Sequence, residues 1–368
     1  MIRRAFFGLM MALIVMYISK IVMFLDYHKT LWNHRPGKCH IVDGIEHGSE
    51  DMQTTQSGLT FITSILPIMG GNAAVMGSEY HEYYTKNHVG GRIMLFNMVK
   101  PEDGVKELRI IGNNFNYKDF VPHGISVLED KGTVLLFVVV HRAEEDTVEK
   151  FEFLEKTLEL KHLAAYTGNL IHVLNDVAAT GADTFYTTDY TYYRNHVGIV
   201  FEAMLGLHFG HILYFDGQEF IIVSEPTCFA NGIALSRNGK LVYTASNIGK
   251  KLMVHKREDN NRLTKVNDIE LDTFPDNPIV DPTTGDVLIG CQPIGHKFLQ
   301  HLSNPVNPCA SQVLMLHMDK SGTNMTRVTE LFSDDLELYC SSSTTLYKNR
   351  MLIGTVCHKM MYCEVNTL

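Results

Sequence analysis

Several features that would direct the chain to other functions are missing from its sequence. No block of basic residues occurs among its 368 residues and the net charge is −9, so nucleic acid is not an expected partner. None of the seven cysteines forms a Cys-x-x-Cys pair, which argues against a zinc site. No strict internal repeat is visible either. The chain is long enough to bury a sizeable core, in two domains or in one large all-β domain.

A clear signal-peptidase site is also missing at the N-terminus. Arg3 and Arg4 precede an apolar run over residues 5–18 that resumes over residues 21–25, a pattern typical of secretory targeting. Because the small residues needed for cleavage do not follow, residues 1–25 are predicted to be an uncleaved signal-anchor in a single-pass membrane protein. The basic residues would keep the N-terminus cytosolic and put the rest in the endoplasmic reticulum lumen or at the cell surface. The alternative is a cleaved signal peptide and a secreted protein.

The polar segment 26–38 is interpreted as a linker, and the folded domain is expected over residues 39–368. In an oxidising compartment some of the cysteines should pair, and a bridge between Cys39 and Cys363 would close a very long loop. Asn324 lies in the only Asn-x-Ser/Thr sequon, which predicts glycosylation on an extracytoplasmic surface loop.

Short β-like runs separated by turns fill most of the chain. Residues 133–141 are almost wholly apolar, which is typical of a strand buried on both faces. The runs 211–215 and 219–223 flank Asp216-Gly217-Gln218 and predict a hairpin. Only residues 197–207 predict a helix. Further strands are predicted over residues 58–66, 91–98, 148–154, 241–245 and 287–290. This pattern favours a β-propeller or a sandwich, and a propeller would bring distant residues to a central channel.

Carboxylate and amide side chains recur at four widely spaced points. They are Glu50-Asp51, Asn175-Asp176, Asn231 and Asp276-Asn277. Oxygen ligands of this kind suit a hard cation such as calcium. The plainer interpretation is that each group fills a turn by bonding its own backbone. Four such groups, each flanked by apolar residues, favour a shared metal site. Successive side chains on a strand point opposite ways, so the adjacent residues could serve two separate sites.

Eight segments resemble the paraoxonase/arylesterase family and occur in the family's order over nearly all of residues 39–368. They are Gly48-Ser49-Glu50-Asp51, Pro122-His123-Gly124-Ile125-Ser126, Leu174-Asn175-Asp176-Val177, Phe229-Ala230-Asn231-Gly232-Ile233, Asp276-Asn277, Asp281-Pro282-x-Thr284-Gly285-Asp286, Ile289-Gly290-Cys291 and Leu352-Ile353-Gly354-Thr355-Val356-x-His358-Lys359. The resemblance implies an all-β fold, a six-bladed β-propeller with two calcium ions in a central tunnel, behind a retained hydrophobic N-terminus.

The resemblance also implies roles for individual residues. The catalytic calcium would be bound by Glu50, Asn175, Asn231, Asp276 and Asn277, and the structural calcium by Asp51, Asp176 and the backbone carbonyl of Ile125. The family's histidine dyad falls on His123 and His141, its terminal disulfide on Cys39 and Cys363, and its free cysteine on Cys291.

The implied activity is calcium-dependent hydrolysis of lactones and aryl esters, as in an arylesterase or lactonase. Calcium would polarise the substrate carbonyl and stabilise the oxyanion formed by attacking water. His123 would take a proton from that water, and His141 would relay the proton or orient His123. The plainer alternatives are that His123 only shapes the pocket wall and that His141 is a core histidine.

Three departures from the family pattern alter the expected pocket walls. Gln292 follows Cys291 where a histidine is usual, Asp189-Tyr190-Thr191 replaces Asn-Asp-His, and Cys340-Ser341-Ser342-Ser343 replaces Gly-Ser-Thr-Val. A second hypothesis is therefore a membrane-anchored chaperone that assists assembly of membrane-protein clients such as ion channels. Calcium would then serve folding alone, since metal binding stabilises the folded state.

Overall fold

Six β-sheets are arranged as the blades of a β-propeller in the computed structural model, which describes residues 2–64, 90–112, 115–117 and 119–366. Among the described residues, five blades have four strands, and the second has a fifth strand added in parallel at its outer edge. The innermost strand of each blade contacts the innermost strands of both neighbouring blades, so these six strands surround the propeller axis. The predicted six-bladed all-β fold is confirmed.

The strands run outward from the axis in chain order within each blade, with two exceptions: the outermost strands of blade 2 and of blade 6 come from earlier in the chain. Blade 1 contains β2 (Met52–Thr54), β3 (Leu59–Ser64), β4 (Arg92–Asn97) and β5 (Val105–Glu107). Blade 2 contains β7 (Val121–Asp130), β8 (Thr133–His141), β9 (Thr147–Leu154), β10 (Glu159–Tyr166) and β6 (Arg109–Ile111). Blade 3 contains β11 (Leu174–Gly181), β12 (Thr184–Asp189), β13 (His211–Phe215) and β14 (Phe220–Ile222).

The remaining blades follow the same plan. Blade 4 contains β15 (Ala230–Leu235), β16 (Leu241–Ser246), β17 (Lys251–Arg257) and β18 (Leu263–Glu270). Blade 5 contains β19 (Phe274–Val280), β20 (Val287–Gln292), β21 (Ser311–Met318) and β22 (Met325–Asp334). Blade 6 contains β23 (Ser341–Tyr347), β24 (Arg350–Thr355), β25 (Met360–Glu364) and β1 (Cys39–Val42). The helices described are α1 (Ile2–Phe24), α2 (His196–Leu205), α3 (Gly295–Ser303) and a 3₁₀ turn (Pro101–Asp103).

Blade 6 closes the ring by pairing the start of the chain with its end. Strand β1 pairs antiparallel with β25, and Cys39 lies opposite Cys363 in the register. A disulfide joins these two residues, so the predicted bridge is confirmed. The outermost strand of this blade therefore comes from the other end of the sequence, and the circle cannot open without breaking a covalent bond.

The apolar run 133–141 shows how the blades pack together. It forms β8, as predicted, and its two faces enter different cores because side chains alternate along a strand. Leu136 and Val138 join the cluster between blades 1 and 2, whereas Phe137 and Val139 join the cluster between blades 2 and 3. Each fully buried side chain of this kind contributes roughly 1.5–3 kcal/mol. The run is apolar throughout because both of its faces are interior.

The predicted helix is also confirmed, with bounds shifted by one or two residues. Asn195 accepts a hydrogen bond at 2.8 Å from the backbone of Gly198 at the start of α2, and Gly206 ends the helix in a left-handed conformation. Helix α3 was not predicted from the sequence, and it begins after Ile294 without a side-chain cap. Of the predicted strand 58–66, residues 65 and 66 lie outside the described residues.

Helix α1 is long and apolar enough over Phe6–Phe24 to cross a membrane, and none of that stretch is buried. Its C-terminal end is nevertheless docked on the propeller. Asp26, fully buried, pairs with Lys250 at 2.8 Å and with Lys29 at 2.9 Å, and accepts the Gly295 backbone N–H at 3.1 Å. We call these four residues the helix clamp.

The segment predicted as a linker, residues 26–38, lies against blades 5 and 6. Backbone hydrogen bonds of 2.8 and 3.0 Å pair His34 with Ser333, and Arg35 binds the Glu337 carboxylate at 2.7 Å. The Asn366 backbone N–H donates to the Pro36 carbonyl at 3.1 Å. The polar composition of the segment thus reflects hydrogen bonding to the domain surface.

Candidate functional site

The eight predicted calcium ligands and His123 lie together around the propeller axis. Each is on an innermost strand or just before one, and each side chain is buried. The exposed fractions are 2% for Glu50, 3% for Asp51, 4% for His123 and Ile125, 2% for Asn175, 3% for Asp176, 5% for Asn231, 4% for Asp276 and 1% for Asn277. Buried charges and amides at this density require partners.

Irregular pairing at the start of the innermost strands positions these residues. The register to the second strand shifts between Pro122 and Ile125 in β7, Leu174 and Val177 in β11, Ala230 and Ile233 in β15, and Pro275 and Pro278 in β19. The residues inside these shifts are His123-Gly124, Asn175-Asp176, Asn231-Gly232 and Asp276-Asn277. Bulges re-aim side chains at strand ends. The local arrangement is therefore a bulge, where the sequence suggested regular strand alternation.

Two glycines allow neighbouring bulges to approach closely. A Cβ on Gly124 would lie 2.4 Å from the Cα of Asp176, and one on Gly232 would lie 2.5 Å from the Cα of Asn277. Both contacts are to backbone atoms, which cannot move aside as a side-chain tip can. Glycine is thus required beside His123 and Asn231 for steric reasons.

Glu50 is the centre of the first group of polar side chains. Its Oε1 accepts a hydrogen bond from Asn277 Nδ2 at 2.9 Å and lies 3.4 Å from His123 Nε2. Asn175 Nδ2 lies 3.1 Å from the same histidine nitrogen. Burial raises the pKa of Glu50 well above its usual value, and the nearby Asp276 carboxylate adds to this. Ionised Glu50 therefore needs positive charge close by.

Gln292 supports Asp276 in this group. Its Nε2 donates to Asp276 Oδ2 and to the Ser341 carbonyl, both at 2.8 Å. Burial raises the pKa of Asp276 to about 7, although hydrogen bonds from Gln292 and Asn231 oppose the shift. The sequence showed only that a usual histidine was absent here. Gln292, which stands in its place, binds the Asp276 carboxylate. The two residues are 16 positions apart in the sequence, and no local pattern indicates that they are in contact.

Asp51 and Asp176 form the second group. Asp51 accepts the Met52 and Ile125 backbone N–H groups at 2.8 Å each, while Asp176 accepts those of Val177 and Ile233 at 2.6 and 2.7 Å. Burial raises the pKa of Asp51 to about 7 and that of Asp176 well above normal, and the neighbouring Asp51 raises the latter further. Each carboxylate also ties one innermost strand to the next.

Four oxygens in this region have no hydrogen-bond partner among the described residues. They are Glu50 Oε2, Asn175 Oδ1, Asn231 Oδ1 and Asn277 Oδ1. An unsatisfied buried acceptor costs about 1–3 kcal/mol, so such a set needs an explanation. Nowhere in the described part of the chain do three or more His, Cys, Asp and Glu side chains alone form a metal-binding group. A cation here would use amide as well as carboxylate oxygens, which is the donor chemistry of calcium. The residues fit that ion.

His141 lies beside His123, and their ring centroids are 4.9 Å apart. Its Nδ1 is 3.0 Å from Asp146 Oδ2, and Asp146 Oδ1 accepts from Arg194 at 2.9 Å. Burial favours neutral Asp146, but the histidine and the arginine outweigh it and lower the pKa of Asp146. Burial, and next His141, lower the pKa of His123 well below normal, so its ring is neutral. Sequence reasoning found the two histidines and missed Asp146 and Arg194, which carry no distinguishing motif.

The other predicted residues lie apart from this group. Cys291 is an unpaired, fully buried thiol on β20. Asn324 is exposed in the turn between β21 and β22, where its Nδ2 donates to Asp319 Oδ2 at 3.0 Å.

Comparisons with known proteins agree with this architecture. The sequence profile described as "Arylesterase" matches residues 33–365. Serum paraoxonase/arylesterase 1 of Homo sapiens is 36% identical over 329 residues, covering 89% of this chain and 88% of that protein. Serum paraoxonase/lactonase 3 of Oryctolagus cuniculus is 36% identical over 330 residues, with 89% of each chain covered.

Solved structures support the fold alone. A luciferin-regenerating enzyme superposes with a TM-score of 0.53 at 8% identity, covering 89% of this chain and 94% of that one. A putative gluconolactonase also gives 0.53, at 14% identity, covering 92% and 98%. The sequence matches extend over nearly the whole propeller, and the chain therefore belongs to the arylesterase family.

Proposed function

We propose that the protein is a calcium-dependent hydrolase of lactones and aryl esters. The observation that carries the proposal is the set of four buried oxygens, on Glu50, Asn175, Asn231 and Asn277, that have no partner within the part of the chain that the structure describes. Relatives over nearly the whole chain bear the names arylesterase and lactonase, which supports esters and lactones as the substrate class.

Two ions would be held in this proposal. Glu50, Asn175, Asn231, Asp276 and Asn277 would bind the first, and Asp51, Asp176 and the carbonyl of Ile125 the second. Two carboxylates with three amides balance a divalent charge at the first site. Bound there, calcium would polarise the substrate carbonyl and stabilise the negative charge that develops on its oxygen.

The two histidines would move the proton of the attacking water. Ionised Asp146 accepts from His141 Nδ1, which leaves His141 Nε2 as the acceptor nitrogen. That nitrogen and His123 Nδ1 have no partner among the described residues and belong to adjacent rings. His123 would take the water proton on Nε2 and pass one from Nδ1 to His141. Together with His141, Arg194 keeps Asp146 ionised, and ionised Asp146 holds His141 Nε2 as the proton acceptor.

Hydrolysis of a simple lactone and of a phenyl ester by the purified protein tests the proposal. Turnover should require added calcium and stop in excess chelator, and calcium should raise the melting temperature because it satisfies buried oxygens. If excess chelator changes neither turnover nor the melting temperature, the proposed calcium dependence is contradicted. Calcium-dependent melting without turnover would favour the alternative function, a membrane-anchored assembly factor.

That alternative has one structural observation in its favour. Apolar side chains are exposed not only along α1 but also on α2, where Val197 is 77% and Met204 62% exposed. We propose that α1 holds the protein in the membrane by a single span with the propeller in the lumen or outside. Client membrane proteins would then meet α1 within the bilayer and α2 outside it, and no change at the histidines would affect that role.

A further inference from the structure

Two cysteines that are far apart in the sequence meet where blade 5 adjoins blade 6. Cys309 lies between α3 and β21, and Cys340 directly precedes β23. Both are fully buried in a small apolar cluster that also contains Phe274, Phe298 and Val356. The sequence offers no sign of this pairing, because the two residues share no spacing motif.

The backbones of these two residues run side by side. The Cys340 N–H donates to the Cys309 carbonyl at 3.2 Å, and one residue further on the Ser341 N–H donates to Ser311 Oγ at 3.0 Å. Cys340 has a positive φ of 61°, so the contact is not a regular strand pair, but the hydrogen bond makes the two residues direct neighbours. A disulfide needs Cα atoms roughly 4.4–6.8 Å apart. After burial, the neighbouring Cys309 thiol is the next cause that raises the pKa of Cys340, consistent with direct proximity.

We propose that Cys309 and Cys340 are joined by a second disulfide, which ties the segment before β21 to the innermost strand of blade 6. Its formation removes two protons and two electrons from the two thiols. A low-molecular-weight disulfide takes them up and is cleaved to two thiols. Because both cysteines are fully buried, the exchange occurs before the apolar cluster closes during folding.

Cys357 is the competing partner for Cys340. It packs against the same cluster but is only partly buried. The residue beside Cys340 on that segment is Val356, whose N–H donates to the Cys340 carbonyl at 3.0 Å and whose side chain occupies the cluster. The arrangement therefore favours Cys309 and leaves Cys357 a thiol.

The bond would hold a strand that supports the candidate active site. Cys340 precedes Ser341 and Ser342, and Ser342 Oγ donates to the Glu50 carbonyl at 2.6 Å. The Ser341 carbonyl accepts from Gln292, the residue that supports Asp276. A cross-link at Cys340 would restrain both contacts by fixing the start of β23.

Counting thiols in the full-length protein tests this inference independently of any activity. The protein is refolded with oxidised glutathione until the Cys39–Cys363 bridge forms, then denatured and alkylated. Of the seven cysteines, three should be alkylated and a linked Cys309–Cys340 peptide should be found by mass spectrometry. Five alkylated thiols with the Cys39–Cys363 bridge closed, or a Cys340–Cys357 peptide, would overturn the proposal.

Single cysteine variants provide a second test, because each changes the number of alkylated thiols in a defined way. Cys309→Ala should raise the number of alkylated thiols from three to four, because Cys340 loses its partner. The matched control Cys228→Ala, which removes a buried thiol outside the proposed bond, should lower the number to two. In Cys309→Ala the melting temperature should fall further in the oxidised protein than under reducing conditions, where only buried packing is lost. An equal fall in both conditions would count against the bond.

Discussion

Substitution of Asn231, a proposed calcium ligand, and of His123, the proposed base, should have different effects on hydrolysis and on calcium-dependent stability. Asn231→Ala should abolish most hydrolysis and also the calcium-dependent rise in melting temperature, because it removes one oxygen of the proposed calcium site. His123→Gln should lower turnover by about 10²–10⁴-fold, the usual contribution of a general base, and leave that rise unchanged. Hydrolysis rates and melting curves with and without calcium measure both.

A buried histidine elsewhere supplies the control for this pair. His255, 5% exposed on β17, should tolerate replacement by glutamine without loss of turnover. If His123→Gln retains full activity, the residue is part of the pocket wall and some other group accepts the proton.

Acid should unfold the protein partly through Glu149, which is 1% exposed. Burial alone would raise its pKa, but His162 at 2.7 Å and Arg142 at 2.7 Å outweigh burial and lower the pKa. Its stabilising effect is therefore complete above the unfolded value of about 4.3 and is lost as pH falls through the lower folded value. Glu149→Gln should lower the unfolding free energy by about 1–3 kcal/mol at pH 7 and flatten its dependence on acid pH.

Denaturant unfolding at a series of pH values measures the effect of Glu149. Glu155→Gln, at an exposed turn position, is the matched control and should leave both the free energy and its pH dependence unchanged. Equal pH profiles for Glu149→Gln and the parent protein would show that the buried carboxylate is not linked to acid unfolding.

At the scale of single residues, the sequence predicts donor types and their positions but few of their partners. Glu50, Asn231 and Asp276 stand out because polar oxygens within apolar segments are unusual. Asp146 and Gln292 do not stand out, because their roles arise from contacts with side chains brought close only by folding. The sequence cannot supply those contacts without the fold.

Among the structural elements, the bulged innermost strands should be the least tolerant of added volume. Gly232→Ala would place a Cβ 2.5 Å from the Asn277 Cα, and overpacking of this kind costs about 1–3 kcal/mol. Because the displaced atom belongs to a proposed ligand, calcium affinity should fall together with stability. Calorimetric titration and melting curves measure the two effects.

Gly168→Ala is a suitable comparison for Gly232→Ala. Its new Cβ would come no closer than 3.1 Å to any atom outside the neighbouring residues, and that atom belongs to the Phe220 ring, which can shift. Normal calcium affinity in Gly232→Ala would mean that the bulge accommodates the methyl group and does not determine ligand position.

Helices and strands differed in how far the sequence revealed them. Helix α2 was predicted because residues 197–207 are apolar on most sides and contain no proline. Helix α3 lacks a side-chain cap at its start and was missed. Strand β8 was predicted over its full length because both faces are buried, whereas bulges depend on pairing with a second strand and leave no mark in a single segment.

For the whole molecule, the orientation across the membrane can be tested by glycosylation of Asn324. If α1 stays in the bilayer with Arg3 and Arg4 on the cytosolic side, exposed Asn324 should receive an N-linked glycan in a eukaryotic secretory pathway. Glycosidase should increase the gel mobility of the parent protein and not of Asn324→Gln. The protein should also resist alkaline extraction from membranes, whereas release into the medium would indicate a cleaved signal.

The number of blades could be predicted only through the family resemblance. No strict repeat divides the sequence into six, and the sheet that closes the circle joins β1 to β25 across 324 residues of chain. Strand composition alone left a propeller and a sandwich equally open, since both are built from short strands and turns. Closure is a property of the ring and not of any one segment.

The helix clamp has a consequence for how the molecule is presented to its surroundings. A transmembrane segment joined by a flexible linker would let the propeller rotate, so that any blade could face a neighbouring membrane protein. Here Asp26, two residues beyond the end of α1, accepts hydrogen bonds from Lys250 of blade 4 and from Gly295 of blade 5. In a membrane the propeller would thus be held in one orientation relative to the axis of α1. Every copy would offer the same blades sideways to other proteins in the plane of the bilayer.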